Sequence, residues 1–335
     1  MNVVESDHFK NFAAKLRPAY SSKLPSRKVL SSTLLDNAYQ KCIDKNSQSL
    51  NKYSALLIDG WKNTSSNTKT VVSMLHNAGG SQAFLNAWDL TGDSETGEKL
   101  TEIVNKSVQF AKDLYNTTVY AIVSDNASAM LKMGRTVEIW HSNCSSHTAN
   151  LLAKDILDED CTNKVSTVLN EFKLSDFERA LVDKNGSRIK LPCDTRWCSY
   201  RDSYACLIKN LHIMKNLIIN DPIFKKIKQN VKSIVFDDDF TNQVREYVLL
   251  FEPICVLINR TQSADCSVAE ATNLWLNLQF PEHFSYLNPK LDHRRSMLNV
   301  YALAAFYLHP VFHKDAESKL QHHNWKQCMS FYWKI

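Results

Sequence analysis

Apolar residues first fall into strand-like order at Ser54-Ala55-Leu56-Leu57-Ile58, a short run ending in Asp59-Gly60-Trp61. Two more such stretches follow, Lys69 to His76 and Ala83 to Leu90, with polar turns between. Asn77-Ala78-Gly79-Gly80 suits a hairpin turn, so the three stretches predict neighbouring strands in meander order. The period then changes. Leu100, Ile103, Val104, Val108 and Ala111 recur at helical spacing, which predicts an amphipathic helix over Glu98 to Leu114. Thr118 to Val123 predicts a buried strand stopped by Ser124-Asp125-Asn126, and an Asp/Asn cap opens a helix over Ala127 to Met133. Val137 to Trp140 predicts a fifth strand and Ser145 to Leu157 a third helix. The order is βββαβα, then a strand and a helix.

The flanks read differently. Residues 8 to 52 are a polar, mostly helical lead-in broken by Pro18 and Pro25, with a helix expected to begin near Ser31 or Ser32. From about residue 163 strands nearly vanish. Val244, Tyr247, Val248, Phe251, Ile254, Cys255 and Ile258 keep helical spacing, and Pro253 is expected to bend that helix rather than end it. Lys184-Asn185-Gly186-Ser187 is the clearest polar loop. Three segments result: a helical lead-in at 1–52, an α/β core at 53–160, and an all-helical region at 161–335.

Composition narrows the function classes. Hydrophobic residues at 44% and charged residues at 22% describe a folded globular chain, which excludes wholesale disorder and coiled coil. None of the 7 glycines forms a GxGxxG or GxxxxGKS/T, so a Rossmann dinucleotide site and a P-loop have nowhere to sit. The formal net charge of +5 does not by itself specify a nucleic-acid partner. Local charge is more uneven: Lys10 to Lys28 holds basic residues and no acid, and Leu207 to Ser233 is Lys-rich with Asp221 its lone acid. These are candidate phosphate-facing surfaces, or solvated helix faces. The 9 Cys at irregular spacing, behind a start with no basic or apolar leader, read as reduced thiols of the cytosol or nucleus. Apolar runs are too short for a membrane span.

Asp59 and Asp125 each directly follow an apolar strand run, which places both carboxylates at strand carboxyl ends, where ligands gather in open sheets. Such a pair suits Mg²⁺, a hard ion that prefers carboxylate oxygen; the alternative is two ordinary turn residues. Cys144-Ser145-Ser146-His147, preceded by His141, has half the spacing of a zinc site, but no second pair of like spacing stands near, and zinc is not expected. His147 is either a cleft residue beside Asp125 or a buried structural histidine. Arg196-Trp197, flanked by Cys193 and Cys198, pairs a phosphate fork with a ring that can stack on an unpaired base, or is a core Trp beside a surface Arg.

These signals occur in the order of a known family. LRPAYSSKLPSRKVLSSTLL, LLIDGWKN, AIVSDNASAM, the C-x-x-H element of WHSNCSSHTANLLAKDI, DTRWCSY and FYLHPVF together resemble the catalytic region of hAT-superfamily DNA transposases, in the subgroup whose middle segment is catalogued as a domain of unknown function. The resemblance spans most of residues 9 to 315. It implies a ribonuclease-H-like mixed sheet interrupted or followed by an all-helical insertion. It also implies that Asp59 and Asp125 are the first two acids of a D-D-E triad holding Mg²⁺ or Mn²⁺, and that Cys144 and His147 form the C-x-x-H element near that site. Arg196 and Trp197 match its Arg-Trp element, where the Trp is thought to stack against flipped DNA.

Two departures shape the expected function. No BED-type zinc finger precedes the matching region, and the chain reaches Ile335 about twenty residues past the Leu-x-Pro element, before the segment that carries the family's third acid and its dimerisation surface. Glu317 lies in the wrong context for that acid. The expectation is a transposase-derived, nuclear protein that is catalytically incomplete and binds DNA weakly, mainly through charge. The alternatives are an active transposase core that draws its third acid from elsewhere, a domesticated protein–protein module, and a helical interaction protein with an incidental α/β head.

Overall fold

The computed structural model describes residues 2–63, 65–193 and 197–315. They form a mixed α/β structure with a five-stranded mixed sheet and many helices, compatible with a ribonuclease-H-like core plus a helical region. Packing divides the chain into two compact units, Met1–Ile122 and Val123–Ile335.

The first unit begins with α1 (Asp7–Leu16), α2 (Arg27–Ser31) and α3 (Thr33–Ser49). The side chain of Ser26 accepts the Val29 amide and so starts a short helix, α2, ahead of the one expected near Ser31 or Ser32. None of these three helices buries a residue. Next come β1 (Tyr53–Asn63), β2 (Thr68–His76) and β3 (Gln82–Asp89), paired antiparallel in sequence order. Asn77 closes the second hairpin, its Oδ1 accepting the amides of Gly79 and Ser81. α4 (Gly97–Tyr115) packs on β3 and buries Leu100, Ile103, Val104 and Ala111. On the sheet, Leu56, Ile58, Val71 and Leu75 are buried, as period-two alternation requires. β4 (Thr118–Ser124) follows, and the sheet order is β3-β2-β1-β4-β5.

In the second unit come α5 (Ser128–Thr136), β5 (Trp140–Asn143) and α6 (Ser145–Asp155). The fifth strand lies later than its apolar residues suggest. Val137, expected to start the strand, instead caps α5, its amide donating to Met133 O, and the strand begins at Trp140.

The rest is helical: α7 (Glu159–Phe172), α8 (Ser175–Asp183), α9 (Ser199–Asn220), α10 (Gln229–Val235), α11 (Asp238–Thr261), α12 (Val268–Asn277), α13 (Asn288–Arg295) and α14 (Val300–Leu308). α11 runs through Pro253 and packs against both α6 and α9. Tyr204 on α9 meets Tyr247 and Phe251 of α11 edge-on, with ring centroids 6.2 and 5.8 Å apart, while its hydroxyl bonds Thr162 Oγ1 at 2.7 Å. Asp155 accepts a two-pronged contact from Arg294, which fixes α13 at the end of α6. The loop after α8 is held by the buried Asn210, whose Oδ1 accepts the Ser187 amide at 2.8 Å and whose Nδ2 donates to Ser187 O.

Candidate functional site

β4 passes into α5 through Ser124-Asp125-Asn126. Asp125 is half-buried, and its Oδ1 accepts the Ala127 amide at 2.9 Å, closing the turn. Two motifs that are separate in sequence meet at this corner. The Cys144 amide donates to Ser124 O at 2.7 Å, so the residue that opens α6 is bonded to the residue before Asp125. Asn126 Nδ2 donates to Thr148 Oγ1 at 2.9 Å, and Thr148 Oγ1 donates to Cys144 O at 3.0 Å. His147, half-buried in the first turn of α6, lies between these two anchors in sequence. Asn126 Oδ1 is screened from solvent and has no hydrogen-bond partner among the described residues.

A third side chain, not assigned a role in the sequence, braces the corner from behind. His141 on β5 bonds Ser124 Oγ through Nε2 at 2.8 Å, and its carbonyl accepts Asn299 Nδ2 at 2.9 Å. The imidazole lies over Gly134: a Cβ there would sit 2.1 Å from His141 Nδ1. Burial holds the His141 pKa below its ordinary value, because a desolvated ring disfavours the charged form. A lone glycine inside an amphipathic helix, seven residues ahead of a histidine, is the only sequence signal of this packing.

Asp59 belongs to the first unit. It does not stand at a strand end as expected, for β1 stays paired beyond it, through Trp61↔Thr70 and Lys62↔Lys69 to Asn63↔Thr68. Burial, not pairing, stops at Ile58; Asp59 is exposed and Trp61 is 69% exposed. The apolar run marks only the stretch of strand that has core beneath it.

Arg196 and Glu317 lie outside the described residues. Trp197 is half-buried and packs against the helical core of its unit. Cys198 follows in the left-handed region at φ 58° and caps the start of α9. Its thiol is held below the usual range, first by a hydrogen bond with Cys255 and then by the nearby Arg201 charge, whereas Cys255 is pushed up by the same hydrogen bond and by burial. The FYLHPVF element is a packing motif, with Phe306 buried and stacked on Phe312 at 5.6 Å.

Mg²⁺ or Mn²⁺ would draw on carboxylate oxygens. Among the described residues no group of three or more His, Cys, Asp or Glu gathers that could hold a metal ion, and Asp125 commits one oxygen to its own turn. Among the described residues no helix is long and apolar enough to cross a membrane.

A family model described as Domain of unknown function (DUF659) matches residues 25–174. That domain occurs in hAT-type transposase-like proteins. The match takes in Asp59, Asp125 and the C-x-x-H element. No curated protein matches the chain.

Proposed function

We propose that this chain is a nucleic-acid-binding protein of hAT-transposase ancestry that works in the nucleus and does not itself cut DNA. The observation that carries the proposal is the convergence of AIVSDNASAM and the C-x-x-H element on Ser124 to Asn126, two of the motifs on which the resemblance rests. In that ancestry Asp59 and Asp125, on β1 and just after β4, supply the acids. Glu317 stands in the wrong context for the third acid of that triad, which favours binding without cleavage.

Electrostatics supports the choice of partner. Within Leu207 to Ser233, Lys215 pairs with Asp238 and Lys228 with Glu171, while Lys209, Lys225, Lys226 and Lys232 make no ion pair among the described residues. Phosphate contacts of this kind give weak, sequence-independent affinity that falls with salt. Gel shifts of the full chain on duplex DNA should lose about one to three decades of affinity between about 50 and about 200 mM salt. The same chain given Mg²⁺ or Mn²⁺ should leave DNA ends intact. Metal-dependent cutting abolished by Asp125→Asn would replace this proposal with an active nuclease.

A protein-interaction module is the second reading. It is favoured by the packing of Trp197 against the core, which leaves less of the ring to stack on a base.

A further inference from the structure

Past Ile58, the β1–β2 ladder continues for five register pairs in which β1 buries nothing. Side chains alternate across a strand, so Asp59 and Trp61 share one face while Lys62 and Lys69 share the other. The register sets these two lysines directly opposite each other. Like charges so placed repel and weaken the pairing. Neither lysine makes an ion pair among the described residues, so nothing shown on the protein offsets the repulsion.

Asn63 Oδ1 accepts both the amide and the hydroxyl of Ser65, at 3.1 and 2.7 Å, Ser66 Oγ and Thr68 Oγ1 are 2.9 Å apart, and Asn67 takes the left-handed conformation at φ 52°. Two lysines at facing register positions, where β1 buries nothing, present positive charge to closely spaced anions. Duplex DNA carries one charge per ~1.7 Å of axis, denser than the ~3.3–3.6 Å per residue of an extended acidic peptide.

We propose that the outer end of the β1–β2 ladder is an arm that contacts the phosphate backbone, Lys62 and Lys69 together engaging a nucleic-acid strand. This rests on the nucleic-acid function proposed above and adds to it a contact outside the two basic stretches of sequence. The arm continues the strand that bears Asp59, so nucleic acid held there bears on that acid's surroundings.

The test is duplex binding by the full chain across a salt series, comparing wild type, Lys62→Gln/Lys69→Gln and Lys62→Arg/Lys69→Arg. The glutamine pair should flatten the slope of log affinity against log salt by about 1.8, at ~0.9 per lost contact. It should also leave the Tm equal or higher, since the repulsion is gone. The arginine pair should keep the wild-type slope. A wild-type slope in the glutamine pair overturns the arm and leaves the general function standing. Failure of the wild-type chain to bind at low salt overturns both. If the glutamine pair also lowers the Tm, loss of binding in the arginine pair overturns the arm, and retention upholds it.

Discussion

Asn126 Nδ2 donates to Thr148 Oγ1 at 2.9 Å, joining the turn that carries Asp125 to the helix that carries His147. With the Cys144 amide on Ser124 O, it makes one corner out of two motifs. Asn126→Ala should cost about 1–2 kcal/mol of unfolding free energy, since it removes a screened hydrogen bond and leaves Thr148 with one contact fewer. A double-mutant cycle with Thr148→Val, read by urea denaturation, should return a coupling of at least ~0.5 kcal/mol. Additive losses would mean that the corner is held by backbone alone.

Gly134 and His141 give the second prediction. Gly134→Ala forces a methyl group into the imidazole and should destabilise by about 1–3 kcal/mol, with much of the loss recovered when His141→Ala makes room.

His141 also sets a pH dependence. Its folded pKa lies below the unfolded value of about 6.5, so the neutral ring is the form the fold favours. That contribution is present above the unfolded pKa and is lost as pH falls through the folded one. Chemical denaturation at pH 5 and at pH 7.5 should show lower stability at the acid value, and His141→Asn should shrink the difference. An unchanged difference would assign the acid sensitivity to other groups.

Trp197 packs on the helical core, so Trp197→Ala should lower the Tm and weaken binding to intact and flapped DNA alike. Trp197→Phe should restore most of both. Selective loss on the flapped substrate at an unchanged Tm would instead assign the ring to a stacked base.

Cys198 and Cys255 differ in the direction of their pKa shifts, which orders their reactivity. Iodoacetamide at neutral pH should modify Cys198 well before Cys255, read by peptide mass spectrometry, because the thiolate is the nucleophile. The reverse order would contradict the hydrogen bond between them.

Much of this architecture is legible in the residues. Leu56 and Ile58, Val71 and Leu75, and the α4 series from Leu100 to Ala111 are buried as their periods predict. What could not be seen there depends on partners distant in sequence. β1 runs on through Asp59 because β2 pairs with it, and pairing leaves no mark on the hydropathy of Gly60 or Lys62. Val137 looks like a strand residue but ends a helix. His141 gains its role only where Ser124, Gly134 and Asn299 converge, from a strand end and two helix-associated positions. Ser124, next to Asp125, and Cys144 are linked through backbone groups, which no side-chain pattern reports.

Nucleic acid at the Asp125–Cys144–His147 corner should shield the half-buried Cys144 thiol, while Cys42, exposed on α3 in the other unit, serves as the internal reference. The decisive measurement is the alkylation rate of both cysteines in the full chain, with and without saturating duplex DNA. DNA should slow Cys144 severalfold and leave Cys42 unchanged, and raising the salt should abolish the protection as the phosphate contacts are lost. An unaltered Cys144 rate under conditions where gel shifts show bound DNA would place the nucleic acid elsewhere on the protein and contradict the proposed site.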